Sequence, residues 1–369
     1  MAKKLRVVWS LVTSVSLVGV GWGSAYGFTI GVAGPHSGDL ASYGIPTKRA
    51  AELVAKEVNG SGGIGGKKIK LVVEDDVCKP EIATNTATKL VSQKVNVVLG
   101  HICSGATRAA LSIYKSAGVT VVSPSATNPA LTQDGQHPNF LRTIASDDAQ
   151  AALQVKFTME TLKVKNIAVI HDKGDYGKGL AEFAKTFIEQ AKGTVAIYEG
   201  VTPGAVDYAA VVQKIKRSKA GAVIFGGYHP EASKIVSQMR KKRIKIPFVS
   251  GDGVKDDTFI KVAKKNAEGV YATGTKDTSK NKLHKKAVDA HQAAYKEKPG
   301  AFFINAYAAM LAIVNAAKKG GTDSKAIKTH LQKEYVETPL GKISFDNKGD
   351  MIGGGFAMYR VESGKYVAQ

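Results

Sequence analysis

Two short segments of this sequence carry the groups needed to hold a small anion without reacting with it. Cys103-Ser104-Gly105 and Ser123-Pro124-Ser125-Ala126-Thr127-Asn128-Pro129 each follow an apolar run and each stand where a helical pattern begins. Hydroxyls and free backbone N–H groups at a helix start favour a carboxylate. Ser and Thr also serve there as ordinary helix caps, so either reading stands for each loop alone. Together, at one edge of one sheet, the two loops are more informative. Asp172-Lys173-Gly174-Asp175-Tyr176-Gly177, Gly226-Gly227-Tyr228-His229-Pro230 and Gly251-Asp252-Gly253 supply matching loops further along. A Tyr beside a Gly at a strand end fits a pocket wall.

Catalytic constellations find little support. Gly62-Gly63-Ile64-Gly65-Gly66-Lys67-Lys68 invites a phosphate-loop reading, but Lys68 stands where Ser or Thr should follow the Lys. The stretch also runs from helix to strand, the reverse of a phosphate loop. It reads as a helix stop and a tight turn. No Gly-x-Gly-x-x-Gly follows a strand, and no Gly-x-Ser-x-Gly elbow is present. The eight His residues lack metal-ligand spacing. The expectation is a binding protein without cofactor or metal, not an enzyme.

These loops require a frame that brings them to one place. Strand-like runs at 28–33, 68–74, 95–100 and 119–123 alternate with helical runs at 81–93 and 106–116, and Pro46 is read as opening a helix that ends near Asn59-Gly60. The rhythm restarts with strands at 166–171, 195–198, 222–226 and 248–250 and helices at 179–191, 208–217 and 230–241. Such βαβ repetition predicts parallel sheets with helices on both faces, here two doubly wound α/β lobes. Helices at 281–296, 301–318 and 324–333 and strands at 341–345 and 355–362 complete the chain. Ligands of open α/β sheets bind beyond the carboxyl ends of the strands. The loops after Ala33, Gly100, Ser123, His171, Gly226 and Ser250 stand there.

The amino terminus sets the expected compartment. Lys3, Lys4 and Arg6 precede an uncharged apolar run over 7–20, and Ala25-Tyr26-Gly27 has the form of a cleavage site. Residues 1–27 therefore read as a secretory signal, too short and too diluted for a membrane anchor. The mature chain is expected in the periplasm. Its only cysteines, Cys78 and Cys103, form an even pair that reads as one disulfide in an oxidising compartment. The formal charge is +21, with the densest run at Arg240-Lys241-Lys242-Arg243 and Lys245. No aromatic residues interleave with it, so nucleic acid is not an expected partner. The charge reads as a solvated surface, with contact to an anionic membrane or acidic partner left open.

With these residues in hand, the chain resembles the leucine/isoleucine/valine-binding proteins of bacterial ABC transporters, which are type I periplasmic binding proteins. The resemblance covers nearly the whole mature chain. It rests on Ser37-Gly38, Tyr43-Gly44, Gly62-Gly63-Ile64, Gly100-His101-Ile102-Cys103-Ser104, Pro124-Ser125-Ala126-Thr127, His171-Asp172-Lys173 with Tyr176-Gly177, and Gly226-Gly227-Tyr228-His229-Pro230-Glu231. It implies lobes of 28–143 with 274–354 and of 144–273 with 355–369, crossed near Thr143, Thr273 and Gly354. It implies a disulfide at Cys78 and Cys103. Ser104 and the Thr127 backbone would hold a ligand carboxylate, and the Ser125 carbonyl and Thr127 hydroxyl its ammonium. Tyr43, Ile102, Tyr176, Tyr228 and Phe302 would line the side-chain pocket. Asp252 would face the ammonium, where the family usually has Glu. The implied ligand is Leu, Ile or Val and the implied partner a membrane permease, with the protein a monomer. The alternative is a ligand sensor of the same fold for an amide, a urea or an aromatic acid.

Overall fold

The computed structural model describes residues 26–369, so the export segment up to residue 25 lies outside the described residues. β1 (Tyr26–Gly34), β2 (Lys68–Asp75), β3 (Val97–Leu99), β4 (Thr120–Ser123) and β5 (Phe140–Arg142) form one sheet in the order β2-β1-β3-β4-β5. Every pair is parallel. α1 (Ala41–Gly60), α2 (Pro80–Ser92), α3 (Ser104–Ser116) and the single turn α4 (Ala130–Gln133) connect these strands. β3 and β4 are buried along their whole length, as strands covered on both faces must be.

The chain then builds a second sheet. α5 (Asp147–Lys156), β6 (Asn166–His171), α6 (Asp175–Gln190), β7 (Thr194–Gly200), α7 (Ala209–Arg217), β8 (Ala222–Gly226), α8 (His229–Lys241), β9 (Phe248–Ser250), α9 (Asp257–Ala263) and β10 (Tyr271–Thr275) follow in order. It returns to the first sheet through α10 (Lys282–Tyr295), α11 (Phe303–Gly320), α12 (Ser324–Lys333) and a small sheet of β11 (Val336–Thr338), β12 (Gly341–Phe345) and β13 (Met351–Ile352). The apolar face of α11 drives that return: Ala306, Ala309 and Ile313 pack into one core with Val54 of α1 and Ile30 of β1. β14 (Phe356–Glu362) and β15 (Lys365–Ala368) then close the second sheet, in the order β15-β14-β10-β9-β8-β6-β7. β14 runs antiparallel to β10 and β15 antiparallel to β14.

The chain passes between the sheets three times, and the passages lie side by side. Buried Asn305 donates to the Thr143 carbonyl at 2.7 Å and accepts from the Thr143 hydroxyl at its own carbonyl at 3.0 Å. Thr275 Oγ1 donates to Asn305 Oδ1 at 3.3 Å, and Lys276 N donates to Gly355 O at 3.3 Å. Thr273 itself lies inside β10, and the strand continues to Thr275.

Two local readings change. α1 starts at Ala41 and carries Pro46 inside it. The carbonyls of Gly38 and Leu40 already accept from Ala41 and Tyr43, which begins the helix early. Pro46 stands in the second turn, so α1 forgoes the backbone hydrogen bond that residue 46 would otherwise donate to Ser42. β5, β15 and α9 are too short to stand out by periodicity, α5 turns polar residues inward, and strand pairing defines β5 and β15. The Gly62–Gly66 stretch is the expected helix stop: Gly62, Gly63, Gly65 and Gly66 all have positive φ, and Gly63 N donates to Val58 O at 2.9 Å.

Candidate ligand-binding site

The carboxyl ends of both parallel sheets face one cleft. Ser104 begins α3 directly after Cys103, which is bonded to Cys78 with 5.6 Å between their Cα atoms. On a chain-entropy argument the bridge stabilises by about 3 kcal/mol, and it fixes the entry to α3. In the neighbouring loop Ser123 Oγ accepts from Ala126 N at 2.9 Å, and Ser125 Oγ donates to Ile102 O at 2.8 Å. The two loops are thus one unit, with Asn128 N donating to Ser104 Oγ at 3.3 Å.

The second sheet brings the facing wall. Gly177 and Gly226 allow its backbones to meet: a Cβ on Gly226 would stand 2.0 Å from Gly177 O. That approach sets Tyr176 and Tyr228 at the cleft, their ring centroids 5.0 Å apart. Tyr43 meets Tyr228 at 6.0 Å and Phe302 edge-on at 5.4 Å. Tyr43, Ile102, Ser104, Ser125, Tyr176, Tyr228, Asp252, Gly253 and Phe302 line one small cavity. A larger cavity of about 380 Å³ adjoins it and shares Asp252 and Phe302. It is lined by Thr275, Lys276 and Asn305 at the passages, and by Asp277 and His284.

Polar atoms at the cavity are unequally satisfied. Asp252 Oδ1 accepts from Tyr176 OH at 2.7 Å, Gln150 Nε2 at 3.1 Å and Gly253 N at 3.1 Å. Asp252 Oδ2 is buried without a hydrogen-bond partner; Thr127 Oγ1 and Asp147 Oδ2 are buried too and make no close hydrogen bond, though the Thr127 hydroxyl is near enough to Asp147 to favour its ionised form. Thr127 does not line the cavity itself; it lies buried behind it. Burial pushes the Asp252 carboxyl above the usual carboxylate range. Burial, and then the charge of Asp252, push Asp147 up to about 8. Burial also raises the phenols of Tyr43, Tyr176 and Tyr228 well above their usual range, so they stay neutral donors.

Asp147 and Gln150 escaped the sequence reading. Asp147 N donates to Thr127 O at 2.9 Å, which ties the start of α5 to the Thr127 loop. Gln150 spans both carboxylates, donating to Asp147 Oδ1 at 2.7 Å and accepting from Asp252 N at 2.8 Å. The local signal, Asp147 and Asp148 in a first helical turn, looks like ordinary capping. Asp252 and the start of α3 at the cavity, with the Asp147 carboxyl linked to Asp252 through Gln150, suit an ammonium and a carboxylate on one small molecule.

The periplasmic binding protein family matches residues 27–365. The chain is 35% identical over 331 residues to the leucine-, isoleucine-, valine-, threonine- and alanine-binding protein of Pseudomonas aeruginosa, covering 89% of this chain and 88% of that one. The chain belongs to the Leu/Ile/Val-binding branch of the periplasmic binding proteins. Among solved structures, a branched-chain amino acid transporter substrate-binding protein of Streptococcus pneumoniae, in complex with isoleucine, superposes with a TM-score of 0.84 and 32% identity, covering 93% of this chain and 99% of that one. A leucine-binding protein of Thermotoga maritima shares the fold with a TM-score of 0.87, 24% identity and 93% and 97% coverage. The type I periplasmic binding fold accounts for the two parallel sheets, the three adjacent passages and the cleft between them.

Proposed function

We propose that the protein is the substrate-binding component of an ABC importer and captures a branched-chain or other aliphatic amino acid by hinge closure. The observation that carries this reading is the pairing of an aromatic and aliphatic cavity with buried acceptors that lack partners. The amino-acid complexes and names of the relatives support it. Ser104 and the Thr127 loop take the ligand carboxylate, at the start of α3. Asp252, Asp147, the Thr127 hydroxyl and the Ser125 carbonyl take the ammonium. Tyr43, Ile102, Tyr176, Tyr228 and Phe302 enclose the side chain, where each buried methylene adds about 0.8 kcal/mol. The lobes are residues 28–143 with 274–354 and residues 144–273 with 355–369. The protein works as a periplasmic monomer, exported by its first 27 residues, delivers ligand to a permease and performs no turnover.

A thermal-shift panel of the twenty amino acids and short-chain amides on refolded, ligand-free protein tests this. A ligand at a hundred times its dissociation constant stabilises by about 2.7 kcal/mol. Leu, Ile and Val should shift the transition; no shift with any of them refutes the branched-chain assignment.

A further inference from the structure

We propose that the pole of the second lobe farthest from the cleft is an electrostatic docking surface for a bilayer rich in anionic phospholipid. The topology gathers charge there. β6, β7, β8 and β9 start side by side, with Asn166 opposite Thr194, Ile167 opposite Ala222 and Val223 opposite Phe248. Their other ends, at His171, Gly226 and Ser250, face the cleft. The helices between them run back, so their C-termini all emerge at the starting edge.

Each of those helix ends carries exposed cations. α6 is followed by Lys192. α7 ends in Lys216 and Arg217 and is followed by Lys219. α8 ends in the Lys241-Lys242-Arg243 run, with Lys245 before β9. Lys264 and Lys265 follow α9. Among the described residues none of these side chains forms an ion pair; the neighbouring pair, Lys214 with Glu199, uses other groups. Acids at this edge are fewer than the cations: Glu160 and Glu189 are exposed, Glu362 pairs with Arg360 at 3.4 Å, and Glu268 is occupied by the N–H groups of Ser363 and Gly364 at 3.0 and 2.7 Å.

A basic residue at a helix C-terminus complements the helix dipole. That accounts for one cation per helix, and most junctions here carry more. The backbone adds a second observation. Lys192, Lys219, Arg243 and Lys264 have φ of +59°, +53°, +60° and +52°. Glycine takes that left-handed conformation without the steric cost these residues bear. The first lobe uses both solutions, with Gly118 after α3 and Gly321 after α11 but Lys94 after α2 and Lys296 after α10. In the second lobe all four helix ends at this edge carry Lys or Arg instead.

The chemistry of the surface favours a lipid headgroup layer. The cations are mostly lysines, spread over several helix ends; the one groove at this edge, about 360 Å³ beside Lys165, Phe187 and Ala191, adjoins Lys192 and none of the other helix-end cations named above. No aromatic residue in these junctions offers a base a stacking surface. A layer of anionic headgroups needs only charge density, which such a pole supplies. Val262, 56% exposed on α9 beside Lys261, gives the edge one apolar point. Docking by this pole leaves the cleft, at the opposite edge, open to ligand.

Co-sedimentation with vesicles of phosphatidylglycerol and phosphatidylcholine, against phosphatidylcholine alone, tests the proposal on the full mature chain. The protein should bind the anionic vesicles and not the neutral ones, and added salt should release it. The combined variant Lys216→Glu, Lys219→Glu, Lys242→Glu and Arg243→Glu should lower partitioning on the order of tenfold or more, with leucine affinity unchanged and the thermal transition lowered only slightly by the lost helix-dipole contacts. A control with the same charge change on the first lobe, Lys282→Glu, Lys325→Glu, Lys333→Glu and Lys348→Glu, should bind vesicles much as the parent does. Equal loss in both variants would reduce the effect to net charge and overturn the docking pole. Failure to bind anionic vesicles, or polar-variant-sensitive binding to duplex DNA or a polyglutamate probe without vesicle binding, would overturn the lipid assignment.

Discussion

Asp252 is divided between its two oxygens: Oδ1 accepts from Tyr176, Gln150 and Gly253, whereas buried Oδ2 has no partner. An ammonium at Oδ2 would complete the group. Asp252→Ala should therefore cost ligand binding about 3 to 5 kcal/mol by calorimetry. Retained affinity would sink the assignment. Asp147 makes a different prediction because its carboxyl is pushed up to about 8. Between the ordinary range near 3.8 and that value, the folded ligand-free protein holds a proton the unfolded chain has released. Its contribution to stability is thus full below the ordinary range and declines as pH rises toward 8. Binding of an ammonium requires the ionised carboxylate, so ligand uptake near neutral pH should release a proton and affinity should rise toward pH 8. Calorimetry in buffers of different ionisation enthalpy reads that proton, and Asp147→Asn should diminish it, leaving only what burial of Asp252 contributes.

At the scale of elements, most strands and helices were legible because their apolar periodicity is local. β6, β8, β9, β12 and α12 fall on the residues expected. α5 was not legible: its burial serves polar residues, with Asp147, Gln150 and Gln154 all inside. A hydrophobic pattern cannot announce a helix whose inward face is a hydrogen-bond network. The Gly226-Gly227-Tyr228-His229-Pro230-Glu231 run shows why its residue types are needed. Gly226 lets the backbone approach Gly177, Tyr228 reaches the cavity, Pro230 starts α8, and Glu231 accepts from Gly204 N at 3.0 Å. Gly226→Ala would push a Cβ into a backbone oxygen, which cannot swing aside as a side chain can. It should destabilise by about 2 kcal/mol or more in denaturant titration and weaken binding, because α6 and Tyr176 must move. A neutral effect would mean the contact relaxes cheaply.

At the scale of the molecule, closure rests on few contacts across the cleft. Tyr43 OH donates to Gly253 O at 2.6 Å, Asn128 Nδ2 donates to Asp175 O at 2.6 Å, and Ser42 Oγ meets His229 Nε2 at 3.2 Å. Arg108 pairs with Asp175 at 2.9 Å, but both are over a third exposed, so screening leaves this pair about 0.2 to 1 kcal/mol. Tyr43→Phe removes one buried hydrogen bond and should cost ligand affinity about 0.5 to 1.5 kcal/mol. Small-angle scattering should show the radius of gyration fall on ligand addition, with a smaller fall in Tyr43→Phe at the same ligand concentration. An identical fall with unchanged affinity would remove Tyr43 from the closure contacts. Between the lobes, Asn305 ties Thr143 to Thr275 at the passages, which confines the bending there.

Local order in the chain determined the alternation of strands and helices, the strand-end loops and the two cysteines available for a bridge, because period, turn chemistry and residue type are written residue by residue. The loops with Ser104, Ser125 and Thr127, from which the reading began, proved to be one hydrogen-bonded unit. Only the tertiary structure decided that Asp147 stands with Asp252, through a glutamine that meets a residue 102 positions away. It also decided that α1 begins before Pro46 and that Asn305 joins two of the three passages. These arrangements depend on which surfaces the folded sheets bring together, and no local pattern carries that information.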